Sequence, residues 1–148
     1  MCASRNDVLL CKNEIGYKNL TALVSKAWTE GFYSKPRVDR ELLKKHSGGL
    51  IALSACLAGE IPKALLRKDY EKAKETALFY IDAFGKDNFF LEIQDHGIEE
   101  QQKINPMLIR LSKETGIPVH IADRPLECVA LGTGISLETP ELWNAISR

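Results

Sequence analysis

The stretch DYEKAKETALFYIDAFGKDNFFLEI, residues 69–93, decides the fold class. Asp69 is a typical N-cap residue and Gly85 is a typical helix terminator. Between them the apolar residues recur at steps of three and four, as on one face of a helix: Ala73, Ala77, Tyr80, Ile81 and Phe84. Residues 89–93 then have the length and composition of a strand. The stretch therefore predicts a helix that leads directly into a strand.

The same alternation continues on both sides of this stretch. Further strands are predicted at residues 8–11, 50–53 and 118–122, and further helices at 16–30, 39–46, 62–67 and 99–115, the last irregular near Pro106. Strands that alternate with helices indicate an α/β protein with a parallel sheet and crossover helices. The strand segments are apolar runs, which predicts strands that are covered on both faces. Beyond residue 122, turn signals such as 132–134 precede one helical turn at 141–146.

Length and composition describe one ordinary globular domain with a cytoplasmic location. The 148 residues are 45% hydrophobic, and 20 basic side chains balance 20 acidic ones. A net charge of zero excludes a strongly basic nucleic-acid-binding domain but leaves room for a local basic face. No apolar run is long enough for a membrane span. The four cysteines lack CxxC spacing and are expected to be reduced thiols: Cys2, Cys11, Cys56 and Cys128.

Three polar side chains follow the predicted parallel strands and are candidates for a metal site. Cys56 follows the strand at 50–53, His96 follows the strand at 89–93, and Asp123 follows the strand at 118–122. Loops at the carboxyl ends of parallel strands converge on one face, and zinc accepts mixed nitrogen and sulfur ligands. Three other interpretations stay open. Cys56 can be a small buried hydrophobe, His96 a structural loop residue and Asp123 a turn residue.

Other polar groups have simpler explanations. His46 is expected near the end of a helix, where a cation interacts favourably with the helix dipole, and His120 is expected to pack in the core. Four basic residues alternate with three aromatic ones near the N-terminus: Lys12, Lys18, Lys35 and Arg37, with Tyr17, Phe32 and Tyr33. This pattern fits either a nucleic-acid-binding patch or a solvated helix face with aromatic packing beneath it.

Three motifs resemble one family specifically. FYSKPRVDRELL (32–43), LIALSACLAGE (50–60) and FFLEIQDHG (89–97) resemble the PHP (polymerase and histidinol phosphatase) domain of bacterial DNA polymerase III alpha subunits. The likeness covers residues 8–118, and it implies an incomplete PHP-type barrel, a distorted TIM-like fold with parallel strands and crossover helices. It further implies a fragment of a DNA-directed DNA polymerase, a nucleotidyltransferase of DNA replication whose PHP domain supports the polymerase and in some members is a 3′–5′ proofreading exonuclease.

The resemblance also places metal ligands and partners. Cys56 and His96 match ligand positions for zinc, manganese or magnesium, while Ala55 stands where the family usually has glycine. Three features of the family are absent: the opening HxH pair, the closing histidine motif and the polymerase carboxylates. Asp123 falls one position early for the closing motif. The resemblance therefore implies that the isolated chain keeps no metal and has no polymerase or nuclease activity. In the intact parent its partners are DNA and other replicase subunits, whereas unpaired strand edges predict self-association or aggregation of the isolated chain.

The tail resembles a different family. ETGIPVHIADRPLECVALGTGISLE (114–138) is similar to the C-terminal segment of the MreB-type rod-shape-determining bacterial actin homologue. The chain is therefore expected to divide into a partial PHP domain at 1–118 and a tail at 119–148, joined as a fusion or a sequence-assembly chimera. Two alternative functions stay open. One is a small metal-dependent phosphoesterase using Cys56, His96 and Asp123, and the other is a non-catalytic interaction module related to the bacterial actin cytoskeleton.

Overall fold

A computed structural model describes residues 8–120 and 127–139 of the chain. Strands and helices alternate along it, which confirms the α/β class. The elements are β1 (Val8–Cys11), α1 (Glu14–Thr29), α2 (Arg40–Lys45), β2 (Leu50–Leu53), α3 (Glu60–Leu66), α4 (Tyr70–Phe84), β3 (Phe89–Glu92), α5 (Glu99–Thr115), β4 (Val119–His120) and α6 (Cys128–Glu138), with a 3₁₀ turn at Lys86–Asn88. The strand expected at 118–122 is described only at Val119–His120.

Local side-chain chemistry starts and ends these helices as the sequence predicts. The carboxylate of Asp39 accepts a hydrogen bond from the backbone N–H of Leu42, and that of Asp69 accepts one from Lys72. Each satisfies one of the amide groups that a first helical turn leaves without a partner. Gly116, with a φ of 70°, ends α5 in the left-handed conformation. The irregularity expected at Pro106 does not interrupt α5, which is helical from Glu99 to Thr115.

The strands form one sheet in the order β1-β2-β3-β4, and only part of it is parallel. β2, β3 and β4 are parallel, as predicted, whereas β1 pairs antiparallel with β2. The prediction of a wholly parallel sheet was therefore wrong at β1. β1 pairs with β2 along its whole length, from Val8 opposite Leu53 to Cys11 opposite Leu50. The physical reason for the error is that a short apolar run marks a strand but is the same for either strand direction, so the local pattern does not determine the pairing.

The two faces of the sheet differ in burial, which corrects the prediction that strands are covered on both faces. Along β2 and β3 the residues alternate between buried and half-buried. The core takes Leu50, Ala52, Phe89 and Leu91 from one face, which the helices cover. The other face carries Val8 and Leu10 of β1, which are 40% and 49% exposed, together with the half-buried residues that alternate with the core positions of β2 and β3. The prediction failed because runs of adjacent apolar residues conceal this alternation.

Aromatic stacking and charged contacts fix the helices on the covered face. The ring of Tyr80 in α4 stacks on Phe89 of β3 at a centroid distance of 4.8 Å. Helices α4 and α5 are joined at Glu114, whose carboxylate accepts hydrogen bonds from Arg110 at 2.8 Å and Lys74 at 3.1 Å. These two contacts hold the pKa of Glu114 below its usual value. The position of α5 matters because this helix carries residues of the site described below.

The tail departs from the sequence prediction. Residues 132–134, expected to form a turn, lie inside α6. Two glycines inside a helix cost about 1 kcal/mol each relative to alanine, so this helix forms against local propensity. The described apolar side chains of α6 are exposed: Leu131, Ile135 and Leu137. The helical turn expected at 141–146 lies outside the described residues. Among the helices of the described segments, none has the length and hydropathy needed to span a membrane.

Candidate functional site

The loop after β2 presents Cys56 at the carboxyl end of the sheet. Ser54 is buried and joins the ends of two strands: its backbone N–H donates to Phe90 O at 3.0 Å, and its hydroxyl accepts from the backbone N–H of Glu92 at 2.9 Å. The chain then turns outward, and the carbonyl of Cys56 accepts from the N–H of Gly59 at 2.8 Å. Cys56 is exposed, so its interpretation as a small buried hydrophobe was wrong.

Ala55 explains why glycine suits the position before the cysteine. Its φ is 61°, in the left-handed region that glycine adopts without steric cost and that alanine rarely adopts. Its side chain is nevertheless buried. The strained conformation is what turns the chain out of β2, so the loop keeps its shape although alanine replaces the residue that favours it.

The loop after β3 is held by the side chain of Gln101, which lies in the first turns of α5. Gln101 is only 4% exposed, and its carbonyl oxygen accepts from the backbone N–H of His96 at 2.8 Å. Its amide nitrogen lies 3.3 Å from the Nδ1 atom of His96 and 3.3 Å from the Oε1 atom of Gln94. One turn further along α5, Asn105 donates to the backbone carbonyl of Gln94 at 3.0 Å. Two amide side chains therefore fix the loop that carries His96.

These contacts decide which ring nitrogen of His96 carries the proton. A backbone N–H can only donate, so the oxygen of Gln101 must face it, and the amide NH₂ then faces Nδ1. Nδ1 accepts that hydrogen bond, and in the neutral ring the proton lies on Nε2. Histidines that bind a metal usually have the opposite arrangement. The ring nitrogen that does not bind the metal donates its N–H to a carboxylate or carbonyl, and the other nitrogen is left without a proton and binds the ion. The contact of His96 with Gln101 therefore differs from the arrangement that metal-bound histidines usually have.

Cys56 and Glu92 line one shallow cleft together with the amides of Gln94, Gln101 and Asn105. The Oε2 atom of Glu92 is buried and has no hydrogen-bond partner among the described residues, while the amide of Gln94 donates to its Oε1 atom. The structure thus brings Cys56 to the same cleft as Gln101, the side chain that contacts His96. Most of the polar groups between the two predicted ligands are neutral amides, which are poor ligands for zinc.

The remaining predicted residues have separate outcomes. Asp123 lies outside the described residues, and so does the side chain of His120. His46 is the C-cap of α2, as predicted, with Nδ1 3.2 Å from the side-chain oxygen of Asn19. Within residues 8–120 and 127–139, no three His, Cys, Asp or Glu side chains are grouped so that they could hold a metal ion.

Sequence reasoning missed Gln101 and Asn105, although a signal was present. The buried face of α5 is otherwise apolar, with Ile104, Leu108 and Leu111. A glutamine on such a face is costly to bury unless its amide is hydrogen-bonded. Gln101 and Asn105, four residues apart, share the face that meets the loop after β3. Polar residues at that spacing, directly after a loop with a candidate ligand, indicate side chains that hold the loop.

The mixed sheet with helices on one face is consistent with part of a PHP-type fold. The sequence profile of that family, described as "PHP domain", matches residues 3–96, well over half of the chain. The chain belongs to the PHP domain family.

Its relatives are more specific. The chain is 51% identical over 116 residues to DNA polymerase III subunit alpha of Treponema pallidum. The aligned region covers 78% of this chain and 10% of the relative. It is 47% identical over 109 residues to the same subunit of Thermus aquaticus, an alignment that covers 74% of this chain and 9% of the relative. It is 45% identical over 130 residues to that of Campylobacter jejuni, with 79% of this chain and 11% of the relative covered. The chain therefore spans about a tenth of the length of the curated relatives it matches.

Proposed function

We propose that this chain is a non-catalytic part of the PHP domain of a replicative DNA polymerase alpha subunit. In the intact parent it serves DNA replication by supporting the polymerase, and contacts with DNA and other replicase subunits belong to that assembly. Homology over three quarters of the chain supports the parent. The observation that carries the non-catalytic role is the contact between Gln101 and His96.

The chemistry behind this proposal is the direction of that hydrogen bond. Phosphoester hydrolysis in a metal centre needs an ion that polarises the phosphate or activates water. Of the two ligand positions that match the family, His96 has Nδ1 occupied by an amide N–H and its proton on Nε2. Cys56 alone, at the exposed end of a loop, does not hold an ion. The residues present therefore do not fit the metal centre that the family resemblance implies, and no reaction step is assigned to this chain.

A single substitution tests the hydrogen-bond argument. Gln101→Glu replaces the amide with a carboxylate that accepts from Nδ1–H, which moves the ring proton to Nδ1 and frees Nε2. We expect zinc affinity, measured by competition with a chromophoric chelator, to rise about 10–100-fold, the usual effect of such a partner. Gln101→Ala removes the amide without supplying an acceptor and is the matched control, with a zinc affinity well below that of Gln101→Glu. The ¹⁵N chemical shifts of the His96 ring should show protonated Nε2 in the unmodified chain and protonated Nδ1 in Gln101→Glu.

The second candidate function is a small metal-dependent phosphoesterase, and the buried oxygen of Glu92 favours it. A carboxylate oxygen without a hydrogen-bond partner, in the cleft that Cys56 lines, is a group that a cation would satisfy. This function requires near-stoichiometric zinc or manganese in the purified chain, lost on Cys56→Ala or His96→Ala. Elemental analysis with that result would replace the non-catalytic proposal.

We also propose that residues 119–148 have a different origin from residues 1–118, related to the MreB-type actin homologue. Its support within the structure is that none of the described side chains of α6 joins the buried core. One long sequencing read across the codons for residues 108–128 of the source DNA tests it. A read that continues with polymerase sequence after residue 118 shows that the junction is an assembly artefact. A read that matches the present sequence establishes a fused gene product.

A further inference from the structure

Exposed aromatic rings gather where α1 ends and the following loop begins. Trp28, Phe32 and Tyr33 are 59%, 53% and 73% exposed, although rings of this size are usually buried. Trp28 and Phe32 stack nearly parallel, with ring centroids 5.5 Å apart. We call these three rings, together with Lys35 and Arg37 of the same loop, the aromatic-basic surface.

The backbone holds this surface in place. A Cβ atom on Gly31 would lie 2.1 Å from the carbonyl oxygen of Arg37, so the two ends of the loop are in close contact. Within the loop, the N–H of Tyr33 donates to the carbonyl of Lys35 at 3.1 Å. The guanidinium of Arg37 lies over the ring of Tyr33, 5.2 Å from its centroid. The rings are therefore presented by a fixed loop, so that little conformational entropy is lost when a ligand binds.

The charge on this surface is positive although the whole chain is neutral. Lys26 and Glu30, at the end of α1, neutralise each other in an ion pair of 3.0 Å. Lys35 and Arg37 have no acidic side chain within ion-pair distance among residues 8–120 and 127–139. The Nε atom of Arg37 is buried without a hydrogen-bond partner among those residues. Two cations therefore stand beside three exposed rings, and neither forms an ion pair with an acidic side chain of the described residues.

We propose that the aromatic-basic surface binds single-stranded nucleic acid. Bases stack on exposed aromatic rings, and phosphates pair with neighbouring lysine and arginine, which is how proteins bind single strands without sequence preference. Tyr33 offers an open ring face because Arg37 covers only one side. A duplex keeps its base faces stacked inside and cannot use the rings. An apolar helix of a partner protein would bury both cations without a counter-ion, which is costly. This inference does not depend on the non-catalytic role proposed above, because it concerns a different surface from that of Cys56 and His96.

Fluorescence anisotropy with the full 148-residue chain tests the proposal. The probes are fluorescein-labelled oligomers of 15 thymidines and of 15 uridines, with a 15-base-pair duplex for comparison. We expect the single strands to bind more tightly than the duplex, and the thymidine and uridine arms tell whether DNA or RNA is preferred. Trp28→Ala and Tyr33→Ala should each weaken binding about 5–100-fold, as expected for the loss of one stacked base. Lys35→Ala should reduce the slope of log affinity against log salt by about 0.7 for each lost phosphate contact.

Matched substitutions elsewhere separate this surface from general effects. Leu78→Ala removes an exposed apolar side chain from α4, and Lys103→Ala removes a lysine from α5. Both should bind the oligomers as the unmodified chain does, and all variants should melt within a few degrees of it because the changed side chains are exposed. Three results would overturn the proposal: equal binding of duplex and single strand, no effect of Trp28→Ala and Tyr33→Ala, or no binding at millimolar protein. Self-association abolished by Trp28→Ala, without oligonucleotide binding, would identify a protein interface instead.

Discussion

Phe89→Ala is expected to lower the free energy of unfolding by about 3–5 kcal/mol, the usual cost of removing a buried phenylalanine ring. Phe89 is fully buried in the central strand β3, and its ring stacks on Tyr80. The substitution removes the transfer free energy of the ring, the stacking contact and the packing around the cavity that remains. Chemical denaturation in urea, followed by circular dichroism, measures the change. Phe89→Leu keeps most of the volume and provides a milder variant for comparison if the alanine variant does not fold.

Phe90→Ala is the matched control because it changes the next residue of the same strand on the opposite face of the sheet. Phe90 is half-buried and does not belong to the core cluster. Its removal leaves no enclosed cavity, so only part of the transfer free energy is lost, about 1–2 kcal/mol. Phe89→Leu should likewise lower the free energy of unfolding more than Phe90→Leu does. A loss at Phe90 as large as that at Phe89 would show that the second face of the sheet is packed as tightly as the first.

That contrast shows what the sequence predicts and what it leaves open. The strand Leu50–Leu53 and the helices capped by Asp39 and Asp69 could be predicted to within a residue or two, because capping and apolar spacing are local properties. Coverage of the sheet is a property of the whole fold. Residues such as Ile51 and Leu53 are as apolar as Leu50, so composition does not tell which face the helices cover.

The direction of β1 and the chemistry of Cys56 and His96 were also beyond what local sequence patterns predict. The strand at Val8–Cys11 could be predicted, but its antiparallel pairing with β2 could not, because an apolar run is the same for either strand direction. Cys56 and His96 were correctly placed after two parallel strands. Their chemistry depends on the amide of Gln101, which approaches His96 from the first turns of a different helix. A contact of this kind is set by the packing of α5 against the sheet, so it could not be predicted from the positions of the candidate ligands in the sequence.

Gly16→Ala is expected to cost about 2–3 kcal/mol, although alanine is the better helix former. Gly16 lies in the first turn of α1, whose N-terminus rests directly on the turn before β2. A Cβ atom at this position would lie 1.9 Å from the carbonyl oxygen of Gly49 and 2.6 Å from its carbonyl carbon. Those are backbone atoms, and the same carbonyl accepts from the N–H of Lys12 at 2.8 Å. The steric clash can therefore be relieved only if α1 moves away from the turn at Gly49. That movement also disturbs the hydrogen bond by which the Asn13 side chain caps the N–H of Gly16.

Gly48→Ala, one residue before Gly49, is the control for this contact. A Cβ atom there meets nothing closer than the amide nitrogen of Asn19 at 3.5 Å, an ordinary van der Waals distance. We expect a change of less than about 1 kcal/mol, because lower entropy of the unfolded chain offsets small losses in the folded state. Thermal and urea denaturation of both variants measure the difference. If Gly16→Ala were as stable as Gly48→Ala, α1 would not rest on the turn before β2.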